Sequence, residues 1–365
     1  MALQCGIVGL PNVGKSTLFN ALSSAKAEAA NFPFCTIEPN VGVVTVPDSR
    51  LEVLQKLVNP QKLLPTVIEF VDIAGLVKGA SKGEGLGNKF LANIREVDAV
   101  IHVIRCFEDE NIVHVAGSVD PLFDKEVIDT ELQLKDLESV EKRIQRIEKI
   151  AKSGDAKAKH ELTILQSFQT ALKEGKNARA VDLDKEDAVF IKDLQLLTIK
   201  PVLYVANVDE ESIQNGNHFV DQLKEAVKDE NAEVVVLCGA IESQIAEFDD
   251  PEEKSMFLEE YGLKESGLNK LIAAAYALLD LITYFTAGPQ EVRAWTIKKG
   301  WKAPQAAGVI HSDFERGFIK AEVIKLEDYE KFRTEAGCRE NGKIAIEGKE
   351  YIVKDGDIMH FRFNV

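Results

Sequence analysis

Apolar residues recur along this 365-residue chain in changing rhythms, and each change marks a boundary between its parts. In the first hundred residues, short and nearly continuous apolar runs alternate with helical patterns. That alternation is the signature of a parallel α/β sheet. Cys5-Gly-Ile-Val-Gly-Leu10, Thr66-Val-Ile-Glu-Phe-Val71 and Ala99-Val-Ile-His-Val-Ile104 read as strands, and Ser16 to Ser23 as a helix. The same texture returns in Pro201 to Ala206 and in Glu233-Val-Val-Val-Leu-Cys238. Between the two halves, Leu137, Val140, Ile144, Ile147 and Ala151 follow three- and four-residue steps. Ser153-Gly-Asp155 breaks the pattern, and Leu165, Phe168 and Leu172 resume it. This predicts an antiparallel helical hairpin inserted into the α/β domain, either a coiled coil or a small bundle. After Ala287-Gly-Pro289 the runs become β-rich: Val292 to Ile297, Gly317 to Ile324, Tyr351 to Val353 and Ile358 to Phe363. Gly300, Gly342, Gly348 and Lys354-Asp-Gly356 supply turns between them. The expected organisation is an α/β domain over 1–281, the helical insert over 122–198 within it, and a small α+β domain over 282–365. The most apolar stretch, Leu268 to Phe285, carries Lys270 and Asp280, so it reads as a buried helix and not a membrane span.

Hydrophobic content of 45% and charged content of 28% are ordinary for a globular protein. The five cysteines (Cys5, Cys35, Cys106, Cys238, Cys338) lie far apart with no Cys-x-x-Cys pair. They suit free thiols in a reducing compartment, and exclude a zinc knuckle or a disulfide framework. The opening residues run straight into an apolar strand without a leader pattern, so a cytoplasmic protein with no membrane partner is expected. The net charge of −16 argues against nonspecific wrapping of nucleic acid. From Phe285 onward there are 14 Lys+Arg against 13 Asp+Glu, so the rest of the chain carries −17. Any RNA-facing surface is therefore expected in the C-terminal part, around Arg293, Lys298, Lys299, Lys302, Arg316 and Lys320, with Trp295 and Trp301 as stacking groups or, for Trp295 especially, core.

Between the first strand and the first helix, Gly9-Leu-Pro-Asn-Val-Gly14-Lys15-Ser16 fits G-x-x-x-x-G-K-[ST] in full. The spacing has a mechanical reason. The glycines let the loop curl so that backbone N–H groups face the phosphates, Lys15 reaches the β- and γ-phosphate oxygens, and the Ser16 hydroxyl joins a Mg²⁺ shell. The helix behind the loop presents its N-terminus to the same anion. The second strand ends in Asp72-Ile-Ala-Gly75, a D-x-x-G element whose aspartate can hold Mg²⁺ through water while the Gly75 N–H senses the γ-phosphate. Thr36, in the proline-bearing loop Asn31-Phe-Pro-Phe-Cys-Thr-Ile-Glu-Pro-Asn40, is a candidate for a further metal hydroxyl. The candidate metal set is thus Ser16, Thr36 and Asp72. Five glycines between Gly75 and Gly87 suit a switch segment, though a plain surface loop has the same composition. Many small GTPases place a water-orienting glutamine after D-x-x-G; here Leu76 stands there, so turnover is expected to be slow or helped by other groups. Lys15 and His114 are the candidate catalytic residues, with an exposed loop histidine as the plain alternative for His114.

At the end of the late strand, Asn207-Val-Asp-Glu210 stands where a guanine reader has Asn-Lys-x-Asp. That aspartate accepts from guanine N1–H and the 2-amino group, neither of which adenine offers. Glu210 is one methylene too long for the same plane, and Val208 lacks the lysine stem that covers the ring. Asn207 can still bridge adenine N7 and N6. The chemistry therefore favours adenine over guanine.

These motifs together resemble the YchF branch of the Obg-related GTPases, over essentially the whole chain. The closing Tyr284-Phe-Thr-Ala-Gly288, Val292-Arg-Ala-Trp-Thr-Ile297, Ala303-Pro-Gln-Ala-Ala307 and Tyr351-Ile-Val-Lys-Asp-Gly-Asp357 are similar to that family's TGS domain, a β-grasp module. The resemblance implies a P-loop NTPase fold of α/β class. It also implies a monomeric cytosolic ATPase of slow turnover that binds the large ribosomal subunit and its rRNA in translation or stress. It further implies that Asn12 helps bind K⁺ as an activator, and that Phe107 and the Val208 backbone pack adenine. The expected nucleotide set is Gly9, Asn12, Val13, Gly14, Lys15, Ser16, Thr17, Phe107, Asn207 and Val208. A GTPase of the same class, or an RNA-binding adaptor with a purely structural nucleotide, are the alternatives.

Overall fold

The structure, a computed structural model, describes residues 3–24, 40–73, 86–114, 117–230, 232–248 and 250–364. The chain runs β1 (Gln4–Val8), α1 (Lys15–Ser24), β2 (Val41–Thr45), α2 (Ser49–Val58), β3 (Lys62–Leu64) and β4 (Val67–Asp72). It continues with α3 (Leu86–Glu96), β5 (Ala99–Arg105), α4 (Pro121–Ala151), α5 (Ala156–Lys173), α6 (Ala188–Ile191), β6 (Val202–Asn207), α7 (His218–Val227) and β7 (Val234–Leu237). Then come α8 (Gly239–Ile245), α9 (Pro251–Glu260), α10 (Gly267–Leu278), β8 (Leu281–Ala287) and β9 (Glu291–Lys298). The last elements are α11 (Ala303–Ile310), α12 (Ser312–Arg316), β10 (Phe318–Lys325), α13 (Leu326–Phe332), α14 (Glu335–Glu340), β11 (Ala345–Glu347) and β12 (Asp357–Phe363). They form two compact units, one of residues 1–44 and 69–275, the other of residues 45–68 and 276–365.

In the first unit a six-stranded sheet has the order β2-β4-β1-β5-β6-β7. The pairs β4–β1, β1–β5, β5–β6 and β6–β7 are all parallel. Every residue of β5 and β6 is buried, which is why these runs read as continuously apolar. The parallel α/β class expected from the sequence is the one observed. Because the strands are parallel, the loops after β1, β5, β6 and β7 all emerge at the same sheet edge, where open α/β sheets bind ligands.

Between β5 and β6 the helices α4 and α5 fold back on each other as a hairpin. Asp120 caps α4 by accepting from the Leu122 and Phe123 amides, and Asp155 caps α5 by accepting from Ala158 N–H. Val140, Ile144, Ile147 and Ala151 meet Leu165, Phe168 and Leu172 in one apolar cluster. Ala178, Ile191 and Leu196, from the segment that follows, complete it, so the insert is a small bundle and not a free-standing coiled coil. Asp136 fixes that third segment by accepting from the backbone of Leu197 and Thr198 at 2.7 and 2.8 Å.

The second unit holds another six-stranded sheet, β11-β10-β12-β8-β9-β3. It is mixed: β12–β8 and β9–β3 are parallel, and β8–β9, β10–β12 and β10–β11 antiparallel. Neighbouring residues point to opposite faces, Tyr284, Val323 and Met359 into one apolar cluster, Phe285, Ile324 and Ile358 into the other. Strand β3 and helix α2 come from residues 45–68, which the sequence boundary at 282 assigned to the first domain; Leu51 and Leu54 of α2 pack with Phe285 and Val292. Two local expectations are corrected. The apolar stretch Leu268 to Phe285 is not one helix: α10 ends at Leu278, Asp280 takes a left-handed φ of 55°, and the β-favouring residues beyond it form β8. Tyr351 to Val353 forms only an isolated bridge, Ile352 opposite Lys302.

Among the described residues no helix is long and apolar enough to cross a membrane. Cys5, Cys106, Cys238 and Cys338 are free and buried; Cys35 lies outside the described residues.

Inside the first unit His102 of β5 is buried beside Tyr204, and its Nε2 has no hydrogen-bond partner. Burial pushes the ring down to about 4, against Asp129 and Glu230, which favour the charged form, and with Lys125 and Arg179, which oppose it. An unfolded histidine binds its proton near pH 6.5, so stability is complete above that pH and falls as the pH drops towards 4. Between pH 6.5 and 5 the loss should be about 2 kcal/mol. Urea unfolding of the native protein and of His102→Gln at the two pH values checks this: the pH slope should shrink by most of that amount in the variant.

Candidate nucleotide site

The phosphate loop is shaped by what packs against it. Asn12 and Gly14 both take left-handed backbone angles, φ 64° and 93°. A Cβ on Gly9 would lie 2.7 Å from the carbonyl oxygen of Val103 in β5. One on Gly14 would collide with the side-chain nitrogen of Asn207. Both glycines that bound the motif are thus demanded by close approach to the neighbouring strands. Val13 between them is fully buried, and α1 starts at Lys15 with the Leu18 N–H bonded to the Gly14 carbonyl at 3.0 Å.

Asn207, at the end of β6, ties the edge together. Its Nδ2 donates to the Val13 carbonyl at 2.9 Å, and its Oδ1 accepts from Gly239 N–H at 2.9 Å. The residue is buried, so the amide is a strut between the phosphate loop and the start of α8. A second Nδ2 hydrogen and a second Oδ1 lone pair remain for a ligand.

Around this strut lies an open cavity of about 840 Å³. Asn12, Gly14, Lys15, Ser16 and Thr17 form one wall; Phe107, Glu108, Asp109 and Ile112 form another; Val208 to Glu210 and Cys238 to Ala240 complete it. Lys15 Nζ pairs with Asp72 Oδ1 at 2.9 Å, which brings together the motif lysine and the D-x-x-G carboxylate. Ser16 is exposed at the cavity wall. Among the described residues no group of three or more His, Cys, Asp or Glu could hold a metal by itself. The donors at hand, a hydroxyl and a carboxylate, are the hard oxygen ligands that Mg²⁺ takes when phosphates and water complete its shell. Thr36, Gly75, Leu76 and the glycines from Gly79 to Gly85 lie outside the described residues.

Phe107 is half-buried, with the Arg105 guanidinium 4.6 Å from its ring centre. Arg105, fully buried at the end of β5, donates to the carbonyls of Phe107, Ile112 and Asp109 at 3.0, 2.9 and 3.3 Å. It thus fixes the turn of the 107–112 wall. Sequence reasoning passed over it; the signal was a charged residue closing an otherwise apolar strand. Asn12 reaches the same loop, its Nδ2 donating to the Val113 carbonyl at 3.1 Å.

His114 is not an exposed loop histidine. It is buried, with Nε2 3.1 Å from Oδ2 of Asp124 in α4, and it is not among the described residues lining the cavity. Burial pushes the Asp124 carboxyl up, with the His114 contact opposing. On the far side of the cavity Val208 is buried, Asp209 Oδ1 accepts from Ser212 N–H at 2.9 Å, and Glu210 Oε2 accepts from the Tyr261 hydroxyl at 3.3 Å. Cys238 to Ala240 and Tyr261 were also passed over; the junction after β7 (Val234–Leu237) was the available signal for the first three.

The profile of the family described as 50S ribosome-binding GTPase matches residues 4–207, and that of the YchF-GTPase_C family, described as a protein of unknown function (DUF933), matches residues 281–364. Proteins of Haemophilus influenzae and Bacillus subtilis, both named Ribosome-binding ATPase YchF, are each 60% identical to this chain, over all of it and all of theirs. The solved structure titled Structure of the Schizosaccharomyces pombe YchF GTPase superposes with a TM-score of 0.89 at 40% identity, covering 99% of this chain and 97% of that one. The phosphate loop, the parallel sheet that carries it and the match over both halves make this chain a member of the YchF family of P-loop NTPases.

Proposed function

We propose that this protein binds ATP in preference to GTP, hydrolyses it slowly, and uses the nucleotide state as a switch in binding the ribosome. The observation that carries the reading is the base wall. Val208 occupies the place of the ring-covering lysine, and the Glu210 carboxylate already has a partner in Tyr261. The relatives' printed names, Ribosome-binding ATPase, support it. The solved relative is titled a GTPase, which keeps GTP as the alternative; an absent guanine reader weighs against that.

In this reading the backbone from Gly9 to Gly14 cradles the phosphates, and Lys15 exchanges the Asp72 carboxylate for phosphate oxygens. That exchange swaps one anion for another and leaves Asp72 free for the metal side. Ser16, Asp72 and Thr36 would hold Mg²⁺, which when bound neutralises charge on the β- and γ-phosphates. Asn207 offers its remaining hydrogen to adenine N7, and Phe107 and Val208 cover the ring. Asn12 retains its side-chain oxygen for a K⁺ ion. His114, the candidate for orienting water, is paired with Asp124 and does not line the cavity, so it would have to leave that contact to act. On the second unit, Lys298 and Lys299 are exposed beside Gly300 and suit contact with rRNA of the large subunit. Lys302 pairs with Glu350 and Arg316 with Asp313. Trp295 is half-buried, its ring 3.9 Å from the Arg293 guanidinium and its Nε1–H bonded to Thr286, so it acts as packing and not as a free stacking surface. A cytoplasmic monomer completes the reading.

Titration of nucleotide-free protein should give an ATP dissociation constant about tenfold or more below that of GTP, the order of one lost charged contact. Phosphate release should be slow and should vanish in Lys15→Ala. Tighter GTP binding sinks the base assignment, and equal turnover in the two proteins leaves only an adaptor with a structural nucleotide.

A further inference from the structure

We propose that Tyr261 is a positioning residue for nucleotide selectivity: its hydroxyl engages one of the two Glu210 oxygens that a guanine reader must present as a pair. The inference rests on the reading of the cavity as a base pocket and names the residue that keeps its carboxylate silent. Recognition of guanine needs two acceptors side by side, one for N1–H and one for the 2-amino group. Glu210 lines the cavity, yet its Oε2 accepts from Tyr261 at 3.3 Å, which takes one acceptor position on that oxygen and holds the carboxylate toward the tyrosine. The neighbouring Asp209 is no substitute, because its Oδ1 is turned inward to Ser212 N–H.

The tyrosine itself is anchored. It follows α9, and its backbone carbonyl accepts from Gln214 Nε2 at 2.7 Å, which pins the end of α9 to the loop that begins at Asp209. Gly262 follows in the left-handed region at φ 64°, and a Cβ there would collide with the same Gln214 nitrogen. Phe257 lies 5.1 Å from the Tyr261 ring and Phe248 lies 5.3 Å from Phe257, a row that sets the ring's place. Partial burial, with the Glu210 carboxylate beside it, pushes the Tyr261 hydroxyl up, so it remains a donor at neutral pH.

Tyr261→Phe removes the hydroxyl and keeps the ring in the row. The test is a double-mutant cycle on the full-length protein, with fluorescent ATP and GTP as probes: native, Tyr261→Phe, Glu210→Gln and both changes together. GTP should bind about threefold to tenfold tighter relative to ATP in Tyr261→Phe, and the gain should disappear when Glu210→Gln is added. A merely structural role for Tyr261 would weaken both nucleotides together and leave their ratio alone. A ratio unchanged within about twofold, or a gain that persists without the carboxylate, overturns the proposal. If the native protein shows no preference for ATP, the base-pocket reading falls and takes this one with it. A native preference with a flat cycle removes only Tyr261.

Discussion

Replacing Asn207 with alanine should raise the ATP dissociation constant about thirtyfold or more and lower the stability of the first unit. The amide makes two buried hydrogen bonds, to the Val13 carbonyl and from Gly239 N–H. Alanine leaves both backbone groups without a partner, and each such group carries a penalty of about 1–3 kcal/mol when water cannot replace the bond. The phosphate loop then loses its tie to β6, and Gly14 loses the side chain that lies against it. Magnesium tripolyphosphate separates this effect from loss of a base contact. If Asn207 acts as a strut, affinity for the base-free anion falls as well. If only ATP weakens while tripolyphosphate binding is unchanged, the residue acts through the base alone.

Arg105→Met should have the next largest effect. The guanidinium supplies three bonds to the carbonyls of Phe107, Asp109 and Ile112, and burial lowers its proton affinity from the ordinary value without neutralising it. Methionine fills much of the stem's volume but donates nothing. The 107–112 wall should loosen, with a stability loss of about 2–4 kcal/mol and weaker binding of ATP, because Phe107 loses its cationic neighbour. Hydrogen exchange across residues 107–112 measures this directly. Protection equal to that of the native protein would show that the loop holds itself. Arg105→Lys should recover only part of the loss, since one ammonium cannot span three carbonyls.

These two residues also show where sequence reading reached and where it stopped. Gly9, Gly14, Lys15 and Ser16 were legible as a motif because they fall within one short loop, although what the two glycines approach, Val103 and Asn207, comes from other strands. Asp72 was legible from its strand end, and the structure brings it to Lys15. Asn207 was read as a base contact; its two bonds reach Val13 and Gly239, positions far apart in the chain that folding brings together. Arg105 and Tyr261 act on backbone and carboxylate groups that folding delivers. His114 read as a catalytic candidate or an exposed loop histidine because its loop is polar; it is buried and paired with Asp124, ten positions onward in a helix assigned to the insert. Strand β3 is three residues long, too short to carry a pattern of its own.

That short strand has a consequence for how the chain is made. Residues 45–68 leave the ribosome early, yet β3 pairs with Glu291 to Arg293, and Leu51 and Leu54 find their cover in Phe285 and Val292. At roughly 5–20 residues per second, synthesis of the intervening chain takes on the order of tens of seconds. Throughout that interval Leu51 and Leu54 of α2 lack the residues that cover them. The second unit is thus a late-maturing body whose first piece waits for its last.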